Sequence, residues 1–394
     1  MLYSIALIFL CGLLLGNIFK KLHLPSLIGM LLTGILLGPF ALNLLSDSVL
    51  DLSQDLRKIA LIIILTRAGL SLNINDLKKA GRPAFLLCFV PALLEIIAMS
   101  VFAPIFFDVN LLDAIIMGCV LAAVSPAVVV PKMIKLMDEN YGTKKAIPQM
   151  IMAAASVDDV IVIVLFTAFT GLAKNHVMNA VAFLDIPISI TLGVIVGVII
   201  GLILQCIFKK VQIRDDVKVV LLLSISFLLV TLENTLNANH IGFSGLLAIM
   251  TMGITINTKS NKDAINLQGK FSSLWVASEI LLFVLVGASV DISYALSQGI
   301  SAVLLIFICL IFRMLAVLIC TLKTNLNKKE RLFCSIAYLP KATVQAAIGT
   351  LPLTMGLSCG NIVLTVAVIA ILVTAPLGAF LIDLSYKKLL KKEA

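Results

Sequence analysis

Apolar runs of about 20 residues, almost free of charged side chains, follow one another along the sequence. A run of this length crosses roughly 30 Å of hydrocarbon, and it must be helical because no water is present there to satisfy its backbone. Only 13% of the residues are charged, whereas a soluble domain needs a surface that is roughly 25–35% charged. The sequence therefore predicts an all-α, polytopic membrane protein and excludes a water-soluble fold.

Charged and turn-forming residues divide the chain into about thirteen predicted transmembrane helices. The predicted segments are 2–19, 24–45, 56–72, 84–107, 111–137, 147–172, 183–208, 217–233, 241–256, 271–290, 297–320, 331–354 and 358–384. Together they form one membrane unit over residues 1–394.

Lysine and arginine are distributed unequally between the connections of these segments. Every second connection and the C-terminal tail hold 24 of the 30 basic residues, and the other connections hold three. The positive-inside rule predicts a cytoplasmic C-terminus and an external N-terminus, in a bacterial-type plasma membrane. The net charge of +9 thus indicates topology, and no nucleic-acid partner is expected. The eight cysteines show no paired spacing, so neither a disulfide framework nor a cofactor is predicted.

Asp158 and Asp159 lie side by side near the middle of the predicted helix 147–172. An ionisable side chain at this depth needs a partner, a water-filled cavity or a function. Two adjacent carboxylates in a low dielectric cannot both ionise cheaply, and either a proton or a bound Na⁺ or Li⁺ relieves their repulsion. We expect one site for which cation and proton compete. The alternative is structural, with one aspartate capping a helix break or forming a local salt bridge.

Glu95 and Arg313 are each the only charged residue of a predicted helix, and their signs are opposite. A buried ion pair explains both, because either charge alone would be uncompensated. We expect a structural or gating role for this pair. Exchanging the two charges should then restore part of what either single reversal removes.

Prolines interrupt two of the predicted helices. Pro126 and Pro131 lie in segment 111–137, and Pro340 lies in segment 331–354. Proline removes a backbone donor and breaks a helix. Unwound backbone at membrane depth persists only where it lines a cavity or is buried in protein. Simple kinks are the alternative to true breaks.

The two interrupted helices hold equivalent places in a predicted inverted repeat. Each repeat consists of a helix with a lone charge, an interrupted helix and a further helix. The repeats are 84–107, 111–137 and 147–172, and then 297–320, 331–354 and 358–384. Paired interruptions of this kind indicate the midplane ion site of a transporter. There Lys341 can neutralise the carbonyl ends of a broken helix, and Ser125 and Thr343 can offer oxygen ligands.

Four stretches carry a family pattern: Arg67–Leu70, Val124–Pro131, Asp158–Asp159 and Leu339–Gly349. In them the sequence resembles the cation:proton antiporter superfamily, whose members share the NhaA-type fold. The most similar group is the NHA-type sodium/hydrogen exchangers. The resemblance extends over residues 55–384.

The resemblance implies that Asp158 and Asp159 bind the ion and the proton, and that Glu95 and Arg313 match an interhelical pair of the NHA-type group. It implies two crossed, broken helices and a homodimer in the lipid bilayer. It also implies an elevator-like movement of a core domain against a dimerisation part. The core corresponds to about 56–172 and 297–384, and the dimerisation part to about 1–45 and 183–290.

Two departures from the family pattern leave stoichiometry and electrogenicity open. The stretch Val124–Pro126 lacks the acidic residue that several relatives carry at the first break. Glu279 lies where electrogenic bacterial relatives have a lysine, and the role of Arg67 within its own helix is also open.

Exchange of Na⁺ or Li⁺ for H⁺ by alternating access is therefore the predicted function. Exchange of K⁺ for H⁺ is the first alternative, because oxygen ligands alone do not set the size of a cavity. An organic-anion:Na⁺ symporter on the same fold is a second, although the aspartate pair would repel an anion. A channel and a membrane enzyme are disfavoured, since the sequence has neither a repeated filter nor a nucleophile–base set.

Overall fold

The computed structural model describes residues 1–72, 74–174, 182–211, 213–238 and 242–393. Within these ranges the fold is all-α, and the only β-type pairing is an isolated bridge between Tyr141 and Lys392. Residue 241, where one predicted segment begins, lies outside the described residues. The helices are α1 (Leu2–Lys21), α2 (Ser26–Leu37), α3 (Asp47–Asp51), α4 (Ser53–Ser71), α5 (Ile74–Leu87), α6 (Val90–Phe107), α7 (Leu111–Leu121), α8 (Pro126–Asp138), α9 (Ile147–Lys174), α10 (Ala182–Lys210), α11 (Asp215–Ala238), α12 (Gly245–Lys259), α13 (Asn261–Ala288), α14 (Ile292–Cys320), α15 (Lys328–Ala337), α16 (Thr343–Ile348), α17 (Leu351–Thr354) and α18 (Gly360–Leu389).

Eight helical stretches in the described ranges are long and apolar enough to cross a membrane. They are Leu2–Lys21, Gly81–Phe107, Leu111–Asp138, Ile147–Ala173, Pro187–Lys210, Asn261–Ala288, Ile292–Cys320 and Gly360–Leu389. The all-α architecture is thus confirmed, while the number thirteen and the inverted repeat stay predictions.

The chain divides into two compact units. Unit 1 comprises Met1–Gln54, Asp76–Val162 and Ile280–Ala394, and unit 2 comprises Asp55–Asn75 and Ile163–Glu279. These units describe packing, so the predicted functional division into a core and a dimerisation part stays a prediction.

Unit 1 is built around α6, α7, α14 and α18. Helix α6 packs against both α7 and α14, and α18 packs against α14 to α17. Close approach of α6 and α7 requires Gly118, because a Cβ atom there would lie 3.0 Å from the Ile96 Cα. A buried apolar cluster that includes Ile151, Phe333 and Tyr386 joins α9, α15 and α18.

Unit 2 packs α10 and α11 against α12. A Cβ atom at Gly69 would lie 2.4 Å from the Met250 carbonyl oxygen, so only glycine lets α4 approach α12 this closely. Lys218 Nζ lies 3.0 Å from Asp263 Oδ1 and joins α11 to α13. This unit also contains Arg67 and Glu279.

Candidate functional site

Two breaks in unit 1 separate four helical pieces and contact each other. The first break, residues 122–125, lies between α7 and α8, and the second, residues 338–342, lies between α15 and α16. The Ser125 N–H donates to the Pro340 carbonyl oxygen at 2.8 Å. Pro131, which the sequence suggested as an interruption, lies instead inside the continuous helix α8. The break precedes Pro126, whose missing N–H costs nothing at the first position of a helix.

Helix α18 supports the second break from one side. The Lys341 N–H lies outside any helix and donates instead to Thr374 Oγ1 at 3.0 Å, which satisfies this backbone donor. A Cβ atom at Gly378 would lie 2.4 Å from Pro340 Cγ. Glycine at this position therefore allows the unwound backbone to lie directly on α18.

Four buried ionisable side chains form a charge cluster beside the two breaks: Glu95, Asp158, Arg313 and Lys341. Arg313 lies at its centre, with Nη1 2.8 Å from Glu95 Oε2 and Nη2 2.8 Å from Asp158 Oδ2. Lys341 Nζ lies 2.7 Å from Glu95 Oε1. The side chains are 0–1% exposed, so water does not screen these contacts.

The same cations reach the carbonyl oxygens of residues 121–123, where α7 ends. Lys341 Nζ donates to the carbonyl oxygen of residue 121 at 2.5 Å, and Arg313 Nη1 donates to that of residue 122. Gln345 Nε2 donates to the carbonyl oxygens of residues 121 and 123, at 3.2 and 3.0 Å. The C-terminal carbonyls of a helix lack intrahelical donors and carry partial negative charge, so cationic and amide donors stabilise this end.

The two predicted aspartates occupy different environments. Asp158 Oδ2 accepts from the Val124 N–H at 2.9 Å and from Arg313, while Asp158 Oδ1 has no partner among the described residues. Asp159 is 8% exposed, and its Oδ1 also has no partner in the described part of the chain. Within that part, no cationic side chain pairs with Asp159. Asp158 is therefore held by hydrogen bonds, whereas Asp159 forms no ion pair with a described cationic side chain.

Ser125 and Thr343, the predicted oxygen donors, are brought together at the contact of the two breaks. Their hydroxyl oxygens lie 3.5 Å apart, and the residues are 1% and 4% exposed. In the described residues, no hydrogen bond joins either hydroxyl to Asp158 or Asp159.

Arg67 and Glu279 lie in unit 2, where the carboxylate and the guanidinium interact electrostatically with each other. Their charges have opposite sign, so each offsets the other within that unit.

Sequence reasoning did not identify three participants: Gln345, Tyr338 and the Val124 N–H. Tyr338 is fully buried in the second break, with its ring centroid 5.5 Å from the Arg313 guanidinium carbon. Its carbonyl oxygen accepts from Arg313 Nε at 2.8 Å. A signal existed for the side chains, since an amide and a phenol within an apolar stretch need partners. The described residues contain no group of three or more His, Cys, Asp or Glu that could hold a metal ion.

Comparison with known proteins places the chain in a family. The profile of the family described as "Sodium/hydrogen exchanger, transmembrane" matches residues 5–383. The chain belongs to the sodium/hydrogen exchanger family. The chain is 33% identical over 415 residues to sodium/hydrogen exchanger 9B2 of Homo sapiens, covering 99% of this chain and 75% of that relative. It is also 33% identical to sodium/hydrogen exchanger 9B1 of Homo sapiens, covering 99% of this chain and 78% of that protein.

The fold of the chain is similar to that of a solved antiporter. The sodium proton antiporter MjNhaP1 from Methanocaldococcus jannaschii superposes with a TM-score of 0.86 at 20% identity, over 98% of each chain. Family and fold together identify a multi-pass integral membrane protein among cation:proton antiporters.

Proposed function

We propose that this chain exchanges Na⁺ or Li⁺ for H⁺ across the membrane and that Asp158 and Asp159 bind the ion and the proton. The observation that carries the proposal is the environment of Asp159. It is a nearly buried carboxylate, 8% exposed, that adjoins a charge cluster and has no cationic partner in the described residues. Such a group is costly unless a proton or a cation neutralises it.

Charge balance supports a one-for-one exchange. The charge cluster holds two carboxylates and two cations, so it is neutral by itself. Asp159 adds one negative charge, which one proton or one monovalent cation offsets. The site then carries the same total charge in both loaded states, and the cycle moves no net charge across the membrane. A symport of organic anions is disfavoured because the uncompensated charge is negative.

The other residues have supporting roles in this proposal. Arg313 holds one oxygen of Asp158 and leaves the second oxygen for the ion. Lys341 neutralises Glu95 and the carbonyl end of α7, so it is engaged in structure. Ser125 and Thr343 provide hydroxyl oxygens at the breaks.

We further propose an elevator-like movement, a homodimer, and an orientation with the N-terminus outside and the C-terminus in the cytoplasm.

The decisive experiment uses proteoliposomes that contain a pH-sensitive dye. Adding Na⁺ or Li⁺ outside should move protons in the wild type and should not do so in Asp159→Asn. The substitution Asp51→Asn, on the exposed end of α3, is the matched control and should leave the flux unchanged. A flux that responds equally to K⁺ would favour K⁺/H⁺ exchange. Cation-dependent proton flux in Asp159→Asn would disprove the role of that carboxylate.

Competition between proton and cation gives a second test. Because both neutralise the same carboxylate, lowering the pH should raise the apparent KM for Na⁺, by up to about tenfold per pH unit, while the maximal rate at saturating Na⁺ changes less. Initial rates over a Na⁺ series at several pH values measure this. An apparent KM that does not depend on pH would mean that proton and cation use separate sites.

A further inference from the structure

The nitrogen and the oxygen of the Gln345 side-chain amide have different surroundings. It lies in α16, is fully buried, and is among the residues that surround the two breaks. Its Nε2 atom donates to two carbonyl oxygens of residues 121–123. Since a carbonyl oxygen only accepts, this contact assigns the nitrogen end of the amide to the backbone and the oxygen end elsewhere.

The oxygen end of the amide is in a different situation. Gln345 Oε1 is buried and has no hydrogen-bond partner among the described residues. Buried amide oxygens in proteins are rarely left in this state, because they lose hydration without replacement. Bracing the end of α7 requires only the nitrogen, so the backbone contacts do not explain the choice of glutamine.

Three other buried oxygen atoms share this condition in unit 1: Asp158 Oδ1, Asp159 Oδ1 and the Tyr338 hydroxyl. Gln345 and Asp158 are linked through a single stretch of backbone. Gln345 donates to carbonyls of residues 121–123, and the next N–H, that of Val124, donates to Asp158. The Gln345 and Asp158 side chains, each with one unpartnered oxygen, are thus held on one short, unwound segment.

We infer that the Gln345 side-chain oxygen is a specificity-determining ligand of the transported cation, directly or through one of its water molecules. This inference rests on the proposed function. Li⁺ and Na⁺ are hard ions that take several oxygen ligands, and a carboxylate pair supplies few. A neutral amide oxygen adds a ligand without changing the charge balance, so it alters which ion fits rather than how many charges move.

Two substitutions separate the two ends of the amide. Gln345→Met keeps the length of the side chain and removes both donor and acceptor, and Gln345→Glu keeps an oxygen and removes the donor. If the oxygen binds the ion, Gln345→Met should raise the apparent KM for Na⁺ about tenfold and change the ratio of the apparent KM values for Li⁺ and Na⁺. Gln345→Glu should keep or lower the apparent KM for Na⁺. These values come from initial rates of cation-driven proton flux in proteoliposomes.

Gln205→Met is the matched control, because Gln205 is also a buried glutamine, 3% exposed, but lies in unit 2. It should leave both the KM and the ion ratio unchanged. Two results would overturn the inference: an unchanged KM in Gln345→Met, or equal losses in both Gln345 variants with the ion ratio of the wild type. The second result would show that only the donor matters.

The readout also distinguishes failure of the inference from failure of the proposed function. No cation-dependent flux in the wild type would reject the exchange itself and the inference with it. An active wild type with an unaffected Gln345→Met rejects the inference alone. If Gln345→Met yields too little protein for transport assays, the rise of the melting temperature with added Li⁺ or Na⁺ in detergent replaces them. The wild type should show such a rise and Gln345→Met a smaller one, whereas equal rises would overturn the inference.

Discussion

Unit 1 contains two networks of charged groups that use the same contact distances in opposite surroundings. The charge cluster pairs Arg313 with Glu95 and Asp158 at 2.8 Å, with side chains 0–1% exposed. The second network, the terminal clasp, joins the segment 132–143 to the segment 383–393 by contacts between side chains. These contacts are Lys132 with Asp383, Tyr386 Oη to Glu139 Oε2 at 2.8 Å, and Thr143 Oγ1 to Glu393 Oε2 at 2.7 Å.

The difference lies in what replaces a lost partner. In the terminal clasp, Lys132 and Asp383 are 24% and 37% exposed, so we expect water at the helix ends to hydrate whichever group remains. Exposed pairs of this kind contribute about 0–1 kcal/mol. In the charge cluster no water is available, and removal of one partner from a buried pair costs roughly 3–5 kcal/mol. Contact distances therefore do not show which network contributes more to stability, whereas burial does.

Arg313→Met should have the largest effect on stability. It leaves Glu95 and Asp158 without the cation they share, and we expect a loss of about 3–5 kcal/mol and a large fall in melting temperature in detergent. Lys132→Met, the matched change in the terminal clasp, should cost no more than about 1 kcal/mol. Equal shifts in the two variants would contradict the comparison. If Arg313→Met does not fold, Arg313→Lys provides the same ordering, because it keeps the charge but loses the two-sided contact.

A mutant cycle on Glu95 and Lys341 should show the next largest effect. Glu95→Gln leaves Lys341 buried without a carboxylate, whereas Glu95→Gln with Lys341→Met removes one charge of each sign and leaves Arg313 with Asp158. We expect the double variant to be more stable than Glu95→Gln, with a coupling of roughly 2–4 kcal/mol. A cycle on Lys132 and Asp383 should give a coupling below about 1 kcal/mol. Additive effects in the first cycle would mean that the two groups do not act as a pair.

The cluster also changes the outcome of exchanging the charges of Glu95 and Arg313. Partial rescue is expected if the two residues form an isolated pair. In the structure each also contacts a second charged group. The introduced arginine would face Lys341 and the introduced glutamate would face Asp158, so the double exchange should be no better than either single reversal. Rescue in that variant would show that the pair acts alone.

The sequence could predict the partners but not the network. Lone opposite charges in apolar helices indicate that Glu95 and Arg313 each need a buried partner, and pairing them with each other is the simplest way to supply it. The sequence does not show that Arg313 has room for a second carboxylate or that Lys341 reaches Glu95, since both depend on how the two breaks are placed. The same limit applies to Asp158 and Asp159, which are adjacent in sequence but differ in their contacts.

The helix breaks predicted from the proline positions were partly correct. The sequence indicates where a helix can be interrupted but not which proline interrupts it. At Pro126 the chain starts a helix, while Pro131 is accommodated within one. Gln345 was not predicted, because an uncharged amide in an apolar stretch is a weaker signal of a site than an aspartate. A buried amide nevertheless also needs hydrogen-bond partners.

The ion pair of Glu330 is intermediate between the two networks in its exposure, and we expect its loss to have an intermediate effect on stability. It is 4% exposed, while its partner Lys145, with Nζ at 2.7 Å, is 36% exposed. It also completes a capping box at the start of α15 by accepting from the Asn327 N–H at 2.7 Å. Glu330→Gln keeps the shape but weakens both contacts, and we expect a loss of about 1–2 kcal/mol in thermal melting. A loss as large as that of Arg313→Met would mean that one exposed partner does not relieve a buried carboxylate.

Glu393→Gln should have the smallest effect. Its carboxylate accepts from Thr143 Oγ1 and from the Lys144 N–H, both near the surface, and an amide oxygen still accepts both hydrogen bonds. We expect a change within about 1 kcal/mol and no change in the apparent KM for Na⁺, because the segment that holds Asp158 is braced by Arg313 and Gln345. Raising the salt concentration should shrink the difference between Glu393→Gln and the wild type, since exposed charges are screened, and should leave the Arg313→Met difference intact. If Glu393→Gln instead shifts the KM, the terminal clasp and the ion site are coupled, and burial alone no longer separates the two networks.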